Sequence, residues 1–319
     1  MRVVSLLPAA TEVLCGVGGR DLLVGRSHEC DFPTGLDGVP EVTSATAEPI
    51  GARAIHEAAA ETGMTRLDTG ALADLMPDVL LTQRICPVCA VDEASARTVA
   101  RHMLAAFGRK PEVIALSGET IEGVLDDHLA VGRVVRKEAE ATAAVAALRE
   151  RMYRAESFVP AFADRPRIGF LEWTDPLFIA GHWNVELIER AGGEHPLNPM
   201  VGQPRDGAAD GPQRGARRAG KSKAVPPELF AASLPEWLVI APCGMNLGEA
   251  WTEAEKLKEL EWFRELPASK AGRVAVVDGS AMFNRPGPRL IEAFEFLVGW
   301  VQGRPELIPD GFPWRVLAE

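Results

Sequence analysis

No stretch of this 319-residue chain approaches about 20 consecutive apolar residues, so a membrane-spanning helix is not expected. The opening MRVVSLLPAATEVL carries an arginine but no apolar segment of signal-peptide length before polar and helix-cap chemistry begins. The expectation is a mature fold starting at Met1 and a cytoplasmic location. Positive charge is in deficit: Lys and Arg number 34 against 45 Asp and Glu, a net charge of -11, which gives no attraction to phosphate backbones or anionic lipid. Nucleic acid is not an expected partner. The one basic cluster, RDGAADGPQRGARRAGKSK from Arg205 to Lys223, lacks apolar periodicity and reads as a solvated loop. No short-period repeat occurs, and the G-x-S-x-G elbow, the P-loop and H-E-x-x-H are absent. Glu172 and Asp175 form a pair of carboxylates without a visible nucleophile, so catalysis is not expected. Cysteine is sparse, five residues with no export segment, which points to reduced, metal-binding or redox-active thiols rather than disulfides.

What is present is a globular composition, 47% hydrophobic and 25% charged, long enough for two packed domains. Short runs rich in Val, Leu and Ile recur as RVVSL, DLLVGR, DVLLTQ, PEVIAL, RIGFLEW, EWLVIAP and RVAVVDG. Between most of them lie stretches of helical period: ATEVLCGVG, EASARTVARHMLAAF, VELIERAGG and GPRLIEAFEFLVGWV. Alternation of this kind predicts an α/β fold with parallel-rich sheets. From Thr120 to Ser157 no strand signal interrupts a segment rich in Ala, Glu and Arg, which predicts a long helix entered by a shorter one. The predicted organisation is an N-terminal lobe at 1–125, a linking helix at 126–157 and a C-terminal lobe at 158–319.

In open α/β sheets ligands bind beyond the carboxyl ends of the strands. The segments there are LPAATE, SHECD, RICPVCA, TDPLFIAGHW, CGMN and SAMFNRPG, which put Cys30, Cys86, Cys89, Cys243, His28 and His182 on one predicted face. His56, His102, His128 and His195 have no partner pattern and read as surface or satisfied core residues. Cys15, inside an apolar helix, reads as a small buried thiol. The C-x-x-C of Cys86 and Cys89 is shared by redox dithiols and by half of a zinc site. Three readings stay open: cleft lining, a soft-metal site that Cys30, Cys243 or a histidine completes, and a redox dithiol.

The opening SLLPAATE, SHECD, TQ followed by CPVCAV, GFLEWTDPLFIAGHW, APCG and the closing FNRPGPRL together resemble the class III substrate-binding proteins, whose two lobes are joined by a long helix. The likeness covers nearly the whole chain and is nearest the cobalamin-binding-like branch of these cobalamin, haem and ferric-siderophore binders. It implies a ligand-binding protein related to ABC transporters, not an enzyme, holding a cobalamin or similar tetrapyrrole-like ligand in a cleft between the lobes. On this reading the backbone from Pro8 through Ala9 to Thr11 opens a helix and offers its free main-chain N–H groups to ligand substituents. Glu29 and Gln83 belong to matched segments, and His28 or His182 reaches a corrinoid cobalt. Trp173, Trp183 and Phe283 supply flat apolar surface, and Asn284 and Arg285 hydrogen-bond ligand substituents. The alternative uses Cys30, Cys86, Cys89 and Cys243 to hold zinc or another soft metal. Transport members carry one docking glutamate per lobe for a membrane permease; here the positions match Gly70 and Glu228, which puts docking in doubt. The expected assembly is a monomer.

Overall fold

The computed structural model describes residues 1–46, 51–54, 56–57, 65–84, 91–202 and 217–318. The chain forms two compact units. The first comprises Met1–Gly118, Glu122–Leu148 and Pro286–Pro288; the second comprises Glu119–Ile121, Arg149–Arg285 and Arg289–Glu319. The passage from Leu148 to Arg149 lies inside a continuous helix, Glu138–Glu156.

In the first unit, β1 (Val3–Ser5), β2 (Leu23–Gly25), β5 (Val79–Gln83) and β6 (Glu112–Leu116) form a parallel sheet in the order β2-β1-β5-β6. A separate antiparallel pair joins β3 (Thr43–Ala45) to β4 (Thr65–Leu67). β1 and β5 are buried along their whole length, which is why they read as continuous apolar runs rather than alternations. Their side chains divide between two cores with strand period. Val3, Val79 and Leu81 pack with Ala9, Ala10, Val13 and Leu14 of the helix Pro8–Gly16, while Val4 and Leu80 pack with Leu72, Ala96 and Met103. The helix Glu93–Phe107 has the ends its sequence announces. Asp92 accepts the Ser95 N–H (2.7 Å) at the start, and Gly108 closes the end at φ 68°.

The helical segment predicted after Thr120 is two helices, Ile121–Val134 and Glu138–Glu156. Arg136, at φ 60°, turns the chain between them, and Lys137 N–H reaches Gly132 O (2.7 Å). The turn brings the two helices together at Gly132, where a β-carbon would overlap the Ala141 methyl.

The second unit is built on a six-stranded sheet of order β11-β8-β7-β12-β13-β14. Its strands are β7 (Ile168–Thr174), β8 (Leu177–Ile179), β11 (Lys223–Ala224), β12 (Trp237–Ile240), β13 (Val274–Val277) and β14 (Trp314–Val316). β7, β12 and β13 are parallel neighbours; β8, β11 and β14 add antiparallel edges. A two-residue pair, β9 (Val201–Gly202) with β10 (Arg217–Arg218), lies apart. Phe296 anchors the core, stacked on Phe312 (centroids 4.5 Å, planes 9° apart) with Trp300, Trp314 and Phe283 around it. Glu295, beside Phe296 and buried, takes both Nε and Nη2 of Arg151 (3.1 and 2.6 Å), which ties the helix Glu138–Glu156 to this unit. His128 and His195 are buried and neutral: each gives Nδ1 to a main-chain carbonyl, and burial lowers both, His195 to about 4.

Helix propensity alone favours alanine over glycine at Gly132 by up to about 1 kcal/mol, but overlap with Ala141 dominates here. Gly132→Ala is expected to destabilise the protein by about 1–3 kcal/mol, as overpacked sites do. Urea titration checks the sign, which propensity and packing predict oppositely.

Candidate functional site

The segments after the strands carry the candidate residues, and each unit is described by itself. In the first, the helix Pro8–Gly16 begins directly after β1, with Leu7 as an N-cap that supplies no side-chain bond. The side chains of Pro8, Ala9 and Thr11 are buried, so they face the core; what this turn can present is main chain. Thr11 Oγ1 lies 3.0 Å from Cys30 Sγ. Cys30, 3% exposed, belongs to the apolar core with Val13 and Leu36. That placement corrects its assignment as a metal ligand, because a thiol enclosed by aliphatic side chains and held by a hydroxyl presents no open donor. Cys86 and Cys89 lie outside the described residues. Among the described residues, no group of three or more His, Cys, Asp or Glu could hold a metal ion. Gln83 is buried at the carboxyl end of β5, bridged to Asp92.

His28 lies in the loop after β2. Arg26 braces its loop. The guanidinium donates to the carbonyls of Val39, Ser27 and Cys30 and pairs with Glu41 (2.9 Å). The main chain joins in, with Arg26 N–H to Pro40 O (3.0 Å) and Val42 N–H to Arg26 O (2.9 Å). This puts Thr43, at the start of β3, against His28. The threonine hydroxyl meets the His28 main-chain N–H at 3.0 Å and Nδ1 at 2.8 Å. Glu29, exposed, donates its main-chain N–H to Ser27 Oγ (3.4 Å).

In the second unit the site gathers around Glu172 on β7. Its Oε1 accepts Gly181 N–H (3.2 Å) and Asn184 Nδ2 (2.9 Å), and Oε2 accepts the Ser222 hydroxyl. Gly181 is required because a β-carbon there would overlap the Ser222 main chain. Asn198 completes the clamp through Nδ2 to the carbonyls of Ala180, Gly220 and Lys221. Desolvation pushes the Glu172 carboxyl up to about 7, against the lowering effect of Asn184 and Gly181. His182 opens the next helix at φ 49°, its ring stacked on Trp183 (5.7 Å, 26°) and its basicity lowered chiefly by burial. A neutral imidazole is the form that ligates metals.

The aromatic and polar residues predicted to meet ligand are largely engaged in holding these loops. Phe283 is fully buried, edge-on to Phe170 (5.1 Å), which corrects its reading as a ligand surface: the ring is core. Trp183 Nε1 donates to Phe283 O (2.6 Å), and Trp173 Nε1 to Asp175 O (3.1 Å). Asn284 Nδ2 is shared between Ala241 O and Gly279 O, each at 2.9 Å, so its amide nitrogen fastens the segments after β12 and β13. Arg285, 8% exposed, reaches Ser280 Oγ (3.1 Å). Cys243 is half-buried, its N–H on Glu172 O (3.0 Å). Sequence reasoning gave no role to Ser27, the first residue of SHECD, and missed Thr43, Asn184, Asn198 and Ser222, which meet their partners only through the fold. Of the docking positions, Gly70 and Glu228 are both exposed, in the first turns of the helices Thr69–Leu75 and Pro227–Ala232.

With this geometry in hand, the comparisons give the class. The model of the periplasmic binding protein family matches residues 3–281, and the chain belongs to that family. A comparison with curated protein sequences finds no significant match. Among solved structures, the periplasmic vitamin B12 binding protein BtuF of Vibrio cholerae is 18% identical, with TM-score 0.64 over 96% of this chain and 98% of that one. A periplasmic heme binding protein from Pseudomonas aeruginosa is 20% identical, with TM-score 0.64 over 98% and 94%. A possible iron-binding periplasmic solute-binding protein from Staphylococcus epidermidis is 19% identical, with TM-score 0.65 over 94% and 98%. At these identities the likeness carries the fold. The protein is a periplasmic-type binding protein, not an enzyme. The cytoplasmic expectation is overturned, because the family is one of periplasmic, secreted binding proteins. Such proteins normally dock to a permease, which weighs against the doubt drawn from Gly70.

Because the folded Glu172 carboxyl titrates above its ordinary value, the neutral form is the one the fold favours. Its stabilisation is present below the ordinary carboxylate pKa and is lost as pH rises to about 7. Glu172→Gln keeps an oxygen for Gly181 and Asn184 and cannot ionise. It is expected to match the parent in stability near pH 4.5 and exceed it at pH 8, by at most about 3 kcal/mol. Urea titrations at the two pH values decide it.

Proposed function

We propose that this protein captures a metal-centred tetrapyrrole-like ligand, a cobalamin or related corrinoid first, at the loops that follow β2 and β8. The observation that carries this is the pair of ordered imidazoles at those loops. His28 is held through Nδ1 by Thr43, and His182 is stacked on Trp183 and kept neutral by burial. A neutral imidazole is a ready donor to cobalt or iron. The names of similar proteins, binders of vitamin B12, heme and iron, support the same ligand class. Glu228 stands exposed where a permease arginine would meet the second lobe, and Gly70 offers no charge at the first. A soft-metal site built on cysteine loses Cys30 to the core, and among the described residues no group of three or more His, Cys, Asp or Glu could hold a metal ion.

Titration of the purified protein with aquocobalamin, cyanocobalamin and ferric haem tests the reading. At least one is expected to bind at micromolar Kd or tighter, about -8 kcal/mol or better, with a change in the visible bands. Absence of heat and of spectral change with all three would reject it.

A further inference from the structure

We propose that Thr43 is a positioning residue: it holds the His28 imidazole as the Nδ1–H tautomer, so that Nε2 keeps its lone pair for the metal of the ligand. The inference rests on the ligand class proposed above and specifies which atom of which residue reaches the metal.

A threonine hydroxyl has one proton to give and two lone pairs to receive. Around Thr43 Oγ1 stand three partners: the His28 main-chain N–H at 3.0 Å, the His28 Nδ1 at 2.8 Å and Ser27 Oγ at 3.0 Å. The main-chain amide is always a donor and occupies one lone pair. The hydroxyl proton goes to Ser27 Oγ, which also accepts the Glu29 N–H. The second lone pair of Thr43 therefore faces Nδ1, and a satisfied contact at 2.8 Å requires that nitrogen to carry the proton. In a neutral ring the lone pair then falls on Nε2.

Burial makes this arrangement binding. Ser27 is 1% exposed and Thr43 5% exposed, so neither hydroxyl can trade its partner for bulk water at small cost. His28 is half-buried, and among the described residues the ring's hydrogen-bond partner is the Thr43 hydroxyl. The loop cannot swing freely either, because the Arg26 guanidinium fixes the carbonyls of Ser27 and Cys30 on both sides of His28. A ring nitrogen committed to a neighbouring oxygen fixes the tautomer and orientation of a metal-ligating histidine, and such outer partners matter nearly as much as the ligand itself.

Two measurements test this. In the ligand-free protein, long-range proton–nitrogen NMR correlations of His28 above the pH of imidazole protonation are expected to show the proton on Nδ1; a proton on Nε2 overturns the proposal whatever the protein binds. The second uses aquocobinamide, a corrinoid without its own nucleotide base, and ferric haem as probes. His28→Ala is expected to abolish the imidazole-ligation bands. Thr43→Val is expected to weaken binding about 10- to 100-fold, the usual cost of losing an outer partner, and Thr43→Ser to restore it. If His28→Ala binds either probe with the parent's affinity and spectrum, the His28 inference falls while the ligand class stands. If neither probe binds the parent, the ligand class fails and the inference fails with it. The NMR arm uses the unmodified protein, so poor folding of a variant cannot shelter the proposal.

Discussion

Parallel pairing of strands buried on both faces is the constraint on which the rest of this protein depends. β1 pairs in parallel with β5, and β7 with β12, and a parallel neighbour can be reached only by crossing the sheet. Each crossing carries a helix, and each helix covers one apolar face. In the first unit this yields two separate cores on either side of a single sheet, with Val3 and Val4, adjacent in sequence, in different ones. The same constraint sends the chain out of every parallel strand at its carboxyl end, where the His28 loop follows β2 and Gln83 closes β5.

Once the loops are so placed, close main-chain approaches hold them. Gly181 lets residues 221–222 lie on the start of the helix His182–Arg190, and Gly279 lets the segment after β13 lie against Pro242. Polar side chains then fasten these contacts: Glu172 and Asn198 in the first case, Asn284 in the second. The cost is visible in Glu172, a carboxyl desolvated enough to titrate near neutrality while accepting bonds from Gly181, Asn184 and Ser222. Loops braced in this way are preordered, so binding spends less free energy on ordering them.

The two imidazoles are prepared differently. His28 has its ring nitrogen engaged by a buried hydroxyl network, whereas His182 is held by stacking and kept neutral by burial. Family membership explains why such residues stand on a scaffold without catalytic machinery: a binding protein needs a shaped, ordered surface and no nucleophile.

The central strands β1, β5, β12 and β13 were legible in the sequence, because strands buried on both faces read as short runs dominated by apolar residues. So were the ends of the helix Glu93–Phe107, where Asp92 and Gly108 act on backbone next to them in the chain. The antiparallel edges β8, β11 and β14 were not, since two or three residues carry too little periodicity to announce a strand. The strand-end loops could be named in advance, but not what their side chains face. Phe283 and Cys30 read as site residues and belong to cores, and Thr43 and Ser222 read as nothing and hold the site. Periodicity assigns a residue to a face of its own element. Which partner it meets, 15 residues away for His28 and Thr43 or 50 for Glu172 and Ser222, is decided only when the sheets bring distant segments together.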